Sequence, residues 1–402
     1  MNSRFCLSLP LVVAALVLGA CSDSATDATI ELDGFDSDAA ADSAPAGPEV
    51  DAADDVQPDV DIMPDPLDAT DPQDTSDLTG SEIDADITAS DVDESSSFVV
   101  VTINGGTSPG RRHNDDEQDG LPPYTAETSD IVDEFYQNSL SWNPAEAALT
   151  TWLAETNPDI AVFQEIFHDP WCLDIDRPQD ESLDLVCNGF TDDRRLQVQR
   201  MLGERYQYAC GARKPDICIA IRRDFGTVAG CDAADCVIEW EGAVPLSDCT
   251  SRDRIGRVLI TRADGTLLNL VGWHGTSGAL PDDSDCRADQ LRLVFEDAGD
   301  GEPLFREGMP NLLAGDFNFD PMLFVGADVD YLAARVGDGL DYQWLSPTDL
   351  DGPRSYGGGA SIDHMISDEL TGGCYIPGSS DGVPAVWERV YWDHRPVVCT
   401  LR

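Results

Sequence analysis

Leu312-Leu313-Ala314-Gly315-Asp316-Phe317-Asn318 is an apolar run that stops abruptly in Gly, Asp, Phe and Asn. A short apolar run bounded by turn residues predicts a buried strand that delivers polar side chains to a sheet edge. Taken alone, a Gly-Asp-x-Asn tetrad is also an ordinary turn, because Asp and Asn side chains satisfy nearby backbone groups. What flanks the stretch decides between the two.

Upstream, the β-branched run Phe98-Val99-Val100-Val101-Thr102-Ile103 predicts a central strand that ends at Asn104-Gly105-Gly106. Residues 107–142 form a long polar excursion with one helix expected over 129–138. Asn143-Pro144-Ala145-Glu146 reads as a helix start, with Asn143 as cap, Pro144 in the first position and Glu146 completing a capping box. Ile160-Ala161-Val162-Phe163 is the next buried strand and closes in Gln164-Glu165. Thr191 is placed to cap a helix running to residue 206, and strands follow over 206–210 and 217–221. Strands over 255–261 and 267–273 face each other across Ala263-Asp264-Gly265-Thr266, the second ending in His274-Gly275.

Downstream, a helix is expected over 284–298, with Arg287 and Gln290 on neighbouring turns, and another over 327–336. Ser361-Ile362-Asp363-His364-Met365-Ile366 predicts a strand, and Asp393-His394-Arg395-Pro396 leads into a terminal strand over 397–401. Strands alternating with helices, plus an antiparallel hairpin, predict a mixed two-sheet α+β body. Each strand-end polar residue has a structural reading of its own, as a turn or solvated side chain. Their recurrence at strand ends favours a shared site.

The N-terminal quarter reads differently. Residues 5–18 are apolar, too short to span a bilayer comfortably, and lead to Leu18-Gly19-Ala20-Cys21. The expectation is a lipoprotein signal peptide over 1–20, lipidation of Cys21, export, and anchoring on the periplasmic or cell-surface face of a membrane. Residues 21–97 are rich in Asp, Ala, Pro, Ser and Thr and predict a disordered acidic tether. Through Ser97 there are 24 acidic residues against the single Arg4, so residues 98–402 carry the other −30 of the net −53. So acidic a body is a poor partner for long polyanions unless metal ions intervene. Ten of the twelve cysteines lie beyond Cys21, an even number that in an exported chain predicts disulfides rather than zinc. Cys210 with Cys218 and Cys231 with Cys236 are close enough for local staples, while the remaining pairing is open.

Taken in order, the motifs over 98–402 resemble the endonuclease/exonuclease/phosphatase, or deoxyribonuclease I-like, superfamily. The resemblance rests on Asn104, Pro158-Asp159-Ile160 with Gln164-Glu165, Trp273-His274, Gly315-Asp316-Phe317-Asn318, Ile362-Asp363-His364 and Asp393-His394-Arg395-Pro396-Val397. It implies a four-layer α/β/β/α sandwich and a Mg²⁺- or Mn²⁺-dependent phosphoesterase of the phosphodiesterase type. It further implies Glu165, Asn104 and Asp393 on the metal side, His394 as general base oriented by Asp363, His274 as hydrogen-bond donor to developing charge, and Asp316 with Asn318 positioning nucleophile and phosphate.

Two departures stand out. Trp392 replaces the Ser usual before the Asp-His pair, and Ile166-Phe167-His168-Asp169 follows Glu165 where nucleases often carry an Arg. Lys214 is the only lysine of the chain. The substrate is therefore open between a nucleic acid, a phospholipid or sphingolipid, and a small phosphate ester such as an inositol phosphate, and a monomer is expected. The rival reading is a non-catalytic binding module on a degenerate hydrolase scaffold.

Overall fold

The computed structural model describes residues 97–402 apart from 109, 113–121, 176–180, 213, 234–235, 243–253, 298–301, 351, 358 and 378–390. The expected signal peptide over 1–20, Cys21 and the tether up to residue 96 lie outside the described residues. Among those described, no helix is long and apolar enough to cross a membrane.

In chain order the elements are β1 (Phe98–Asn104), α1 (Ala126–Tyr136), α2 (Asn143–Thr156), β2 (Ile160–Gln164), α3 (Gln197–Leu202), β3 (Tyr206–Cys210) and β4 (Cys218–Arg222). There follow β5 (Gly226–Val228), β6 (Val237–Glu239), β7 (Glu241–Gly242), β8 (Ile255–Arg262), β9 (Leu267–His274), α4 (Pro281–Phe295) and β10 (Asn311–Asp316). The series closes with α5 (Ala327–Ala333), β11 (Gln343–Trp344), β12 (Asp363–Ser367), β13 (Gly372–Tyr375) and β14 (Val397–Leu401).

The strands form two sheets. One runs β13-β14-β1-β2-β4-β3-β6, and the other β11-β12-β10-β9-β8-β5 with β7 beside β8. Both are mixed, since β1 pairs parallel with β2 and β9 with β10 while their other neighbours are antiparallel. Alternation along each strand builds the layers. Val100, Val162 and Ile219 of the first sheet meet Ile260, Leu270 and Leu312 of the second in a central apolar layer. The other faces turn outward, Val101, Ile103 and Phe163 onto Val132 of α1 and Leu149 of α2, and Val271, Trp273 and Leu313 onto Leu291 of α4 and Leu332 of α5. Each such fully buried aliphatic side chain contributes about 1.5–3 kcal/mol relative to exposure. The result is the four-layer α/β/β/α sandwich expected from sequence.

Several local expectations give way to tertiary partners. Glu146 forms no capping box: its carboxylate accepts from Arg200 Nε at 2.8 Å and Gln197 Nε2 at 2.8 Å, and α2 starts after Trp142 without a side-chain cap. The helix expected from Thr191 is confined to α3, because Arg194 is drawn to the Val186 carbonyl and the buried Asp169, which fixes residues 191–196 as a turn. α4 begins at Pro281, where the Asp283 carboxylate accepts the Leu280 N–H at 3.0 Å, and ends at Phe295.

Disulfides join Cys172 to Cys187, Cys210 to Cys218, Cys231 to Cys236 and Cys374 to Cys399, and Cys286 is also disulfide-bonded. Both expected local staples are present.

Register matters most for function. Asp316 is opposite His274 on β9 and Asp363 on β12. In the other sheet Asn104 is opposite Gln164, the residue before Glu165. The central strands of both sheets therefore end together.

Candidate active site

Asp316 is 1 % exposed and its carboxylate is held by three donors. Asn318 N–H reaches Oδ1 at 2.8 Å, while Asn104 Nδ2 and Asn318 Nδ2 reach Oδ2 at 3.0 and 3.2 Å. Asn318 has φ +57°, a left-handed conformation that Asn tolerates better than most residues, and its Nδ2 also donates to the Gly275 carbonyl at 3.1 Å. The opening tetrad is thus both a side-chain-capped turn and a strand end. Gly315 permits it: a Cβ there would lie 1.8 Å from the Trp273 carbonyl oxygen of the adjoining strand.

His394 is buried beside Asp363, with Nδ1 2.8 Å from Asp363 Oδ2. Its Nε2 lies 3.8 Å from Asp316 Oδ2 and 3.9 Å from Asp393 Oδ1. Burial disfavours the imidazolium, but Asp363, Asp316 and Asp393 outweigh it and hold the His394 pKa well above the ordinary range. Burial, reinforced by the neighbouring Asp363 charge, raises Asp316 to about 6. His274 goes the other way, lowered to about 3 by burial and by Arg254. It is therefore a neutral donor, its Nε2 lying 3.3 Å from Glu165 Oε1 and 3.7 Å from Asp316 Oδ2.

Glu165 directly follows β2 at φ +55°, a strain of about 1–3 kcal/mol of the kind retained at functional positions. A Cβ on Gly106 would fall 1.9 Å from Glu165 Oε2 and 2.9 Å from the Asn138 carbonyl, so the glycine leaves a cradle for the carboxylate. Asn104 lies beneath, with Oδ1 accepting the Gly106 N–H at 2.9 Å and Nδ2 committed to Asp316. Asp393 accepts from the Ser108 hydroxyl.

These groups fit a hard divalent cation. Glu165, Asp316, Asp393 and the second lone pair of Asn104 Oδ1 are oxygen donors of the kind Mg²⁺ and Mn²⁺ prefer. Among the described residues, the His, Cys, Asp or Glu group with ligand atoms all within 4.8 Å is Asp316, Asp363 and His394. Asp363 and His394 of that trio already face each other in a hydrogen bond, and Glu165, in its glycine cradle, lines the same cavity as Asp316 and Asp393.

The cavity has a volume of about 530 Å³ and gathers Glu165, His274, Asp316, Asn318, Asp393 and His394 on its walls. Asp363 stands behind His394. Lys214 and Arg254, which local patterns do not single out, supply positive charge to the same cavity. Lys214 Nζ lies 3.6 Å from Asp216 Oδ2 on the loop closed by the Cys210–Cys218 disulfide, and Arg254 Nη1 donates to the Gly275 carbonyl at 3.2 Å. The only sequence signal for Lys214 is its solitude in an acidic chain. Tyr356 packs edge-on to the His394 ring, with centroids 5.0 Å apart.

No family model matches the chain, and no curated protein matches it. Solved structures do. They include Danio rerio TDP2 complexed with a single-strand DNA product, at 14 % identity, TM-score 0.44, covering 76 % of this chain and 99 % of that one. The human Nocturnin catalytic domain with a bound sulfate anion is 12 % identical, with TM-score 0.45 and coverage of 76 % and 93 %. An endonuclease/exonuclease/phosphatase family protein from Bacteroides thetaiotaomicron is 12 % identical, with TM-score 0.38 and coverage of 76 % and 94 %. The likeness is one of fold, and the chemistry is read from the chain's own residues.

Proposed function

We propose that this chain is a divalent-metal-dependent phosphoesterase that hydrolyses phosphodiesters, as its motif resemblance implies. The observation that carries the reading is the buried His394–Asp363 pair, whose free ring nitrogen faces Asp316 in a cavity that also holds Lys214 and Arg254. A general base, fixed in one tautomer, is thereby combined with cations suited to phosphate oxygens.

Asp363 accepts the Nδ1 proton of His394 and leaves Nε2 as acceptor for a proton from water. The surrounding carboxylates alone keep His394 protonated; with their charge offset by a divalent cation, Nε2 is released to act as the base. Asp316 and Asn318 orient the attacking water and the phosphate. As the water oxygen bonds to phosphorus and the ester oxygen departs, the Nε2–H of neutral His274 donates to the developing charge. Lys214 and Arg254 bind the remaining phosphate oxygens. Glu165, supported by Asp393 and Asn104, would hold Mg²⁺ or Mn²⁺, which supplies charge neutralisation and polarises the phosphoryl group.

The test is hydrolysis of bis(p-nitrophenyl) phosphate by the purified chain with Mg²⁺ or Mn²⁺, with and without EDTA. Turnover that EDTA abolishes and either metal restores is expected. Absence of turnover with both metals would leave the scaffold as a binding module. Export and membrane anchoring through Cys21 belong to the same proposal, and Cys21→Ser should release the chain from the membrane fraction.

A further inference from the structure

A few residues beyond Asp316 the chain runs Asp320-Pro321-Met322-Leu323-Phe324-Val325-Gly326 into α5. Four consecutive apolar side chains stand in solvent there: Met322 is 57 % exposed, Leu323 48 %, Phe324 38 % and Val325 94 %. Leu280, just before α4, adds another at 69 %. Single exposed apolar residues are ordinary on a protein surface, whereas a run of this length is a liability unless it meets an apolar partner.

The run is held outward at both ends. Buried Asp320 accepts the Met322 and Ser361 N–H groups, each at 2.8 Å. At the far end, buried Asp328 accepts from Arg287 Nε and from the Ser284 hydroxyl, each at 2.6 Å. A cavity of about 450 Å³ between this loop and the start of α4 is lined by Leu280, Pro281, Leu323, Phe324 and Val325. It shares Ala279 and Phe324 with the catalytic cavity, so the apolar rim and the phosphate site are continuous.

We infer that the substrate is an amphiphilic phosphodiester presented in an uncharged or zwitterionic lipid surface. This rests on the phosphodiesterase reading of the site. The rim formed by Leu280 and Met322 to Val325 enters the apolar layer, and the headgroup phosphate reaches the site past Phe324. Charge selects the surface. Asp282, Asp283 and Asp285 flank the rim and residues 98–402 carry −30, so anionic bilayers and long polyanions are repelled. A nucleic-acid track would require a basic groove with stacking aromatics, and the cations lining the catalytic cavity are Lys214 and Arg254. Hydrolysis needs water alone as co-reactant: its oxygen bonds to phosphorus, the ester P–O bond breaks, and a phosphate monoester and an alcohol result.

The experiment compares four substrates with full-length protein and Mg²⁺: phosphatidylcholine and sphingomyelin in mixed vesicles, soluble bis(p-nitrophenyl) phosphate, and single-stranded DNA. The paired substitution Leu323→Ser with Val325→Asp should lower vesicle-lipid turnover at least about tenfold, the factor carried by one or two lost apolar anchors, and leave the soluble diester unaffected. An indole introduced by Val325→Trp should shift to shorter emission wavelength on addition of zwitterionic vesicles and be quenched by brominated acyl chains. Subtracting the response of the wild type, which carries eight native tryptophans, makes the readout local to the rim, so a lipid anchor at Cys21 does not imitate it. Unchanged vesicle turnover in the paired variant, an unresponsive indole, or cleavage of DNA with vesicle lipid untouched would each overturn the inference. Failure of the wild type on every substrate would instead remove the phosphodiesterase reading, while the indole still decides whether the rim enters lipid.

Discussion

Asp363 Oδ2 lies 2.8 Å from His394 Nδ1, and the opposite nitrogen of the same ring faces Asp316 across 3.8 Å. The ring thus has one nitrogen committed to orientation and one directed at the reacting centre. Removing it by His394→Ala should lower kcat/KM at least about a hundredfold, the usual contribution of a positioned general base. Asp363→Asn should lower kcat strongly with little change in KM, since it disturbs the tautomer rather than substrate binding. Steady-state kinetics on a soluble phosphodiester checks both, and full activity in His394→Ala would refute the assignment.

Lys214 is expected to act in binding. Lys214→Met should raise KM by about tenfold with a smaller effect on kcat, and Lys214→Arg should restore part of the loss by returning the positive charge. Because it is the only lysine, an amine-selective reagent applied with and without inorganic phosphate gives an independent check. Protection by phosphate is the expected result, and modification that leaves KM unaltered argues against this role.

Gly106 is predicted to govern metal affinity. Gly106→Ala would place a methyl group 1.9 Å from the present position of Glu165 Oε2, forcing the carboxylate to turn away. Mn²⁺ titration followed by electron paramagnetic resonance should show affinity weakened at least about tenfold, the scale seen when groups supporting a ligand are disturbed. Unweakened Mn²⁺ binding in a folded variant would detach Glu165 from the metal.

His364 supplies a pH dependence of stability that is separate from catalysis. It is buried, its Nδ1 meets Ser346 Oγ at 3.0 Å and its Nε2 the Ser361 carbonyl at 2.8 Å, and burial lowers its pKa to about 4. Between about 6.5 and 4 the unfolded chain takes up the proton and the folded chain does not, so stability falls as the pH drops through that window and levels off below it. The contribution lost is about 3 kcal/mol. Urea unfolding of the wild type and His364→Gln at several pH values should show their difference shrinking by about that amount. A difference that stays constant across this pH range would contradict the coupling of His364 protonation to unfolding.

The apolar runs of β1, β2, β9 and β10, and the polar residues that end them, are legible in sequence because a buried strand is a local pattern. The same holds for the 210–218 and 231–236 staples, whose cysteines are near neighbours. Glu146 misleads because a distant Arg200 competes successfully for the carboxylate that local spacing assigns to a cap. Lys214 and Arg254 escape notice for a related reason: Lys214 comes to the cavity from a cross-linked loop and Arg254 from just before β8, beside His274, and no periodicity encodes either. Asn104 is recognisable as a strand-end residue, yet its attachment to Asp316, 212 residues away, exists only once the two sheets are stacked.

The pairing of β14 with β1, from Phe98 opposite Leu401 to Thr102 opposite Val397, has a consequence in time. His394 is delivered just ahead of β14, so a ribosome has already produced Glu165, His274, Asp316 and Asp363 when the base is still to come. The first strand of the domain waits for the last one, and every nascent chain that stops short of residue 394 lacks the His394–Asp363 pair. On the proposed assignment, hydrolysis would wait until the two ends of the domain meet.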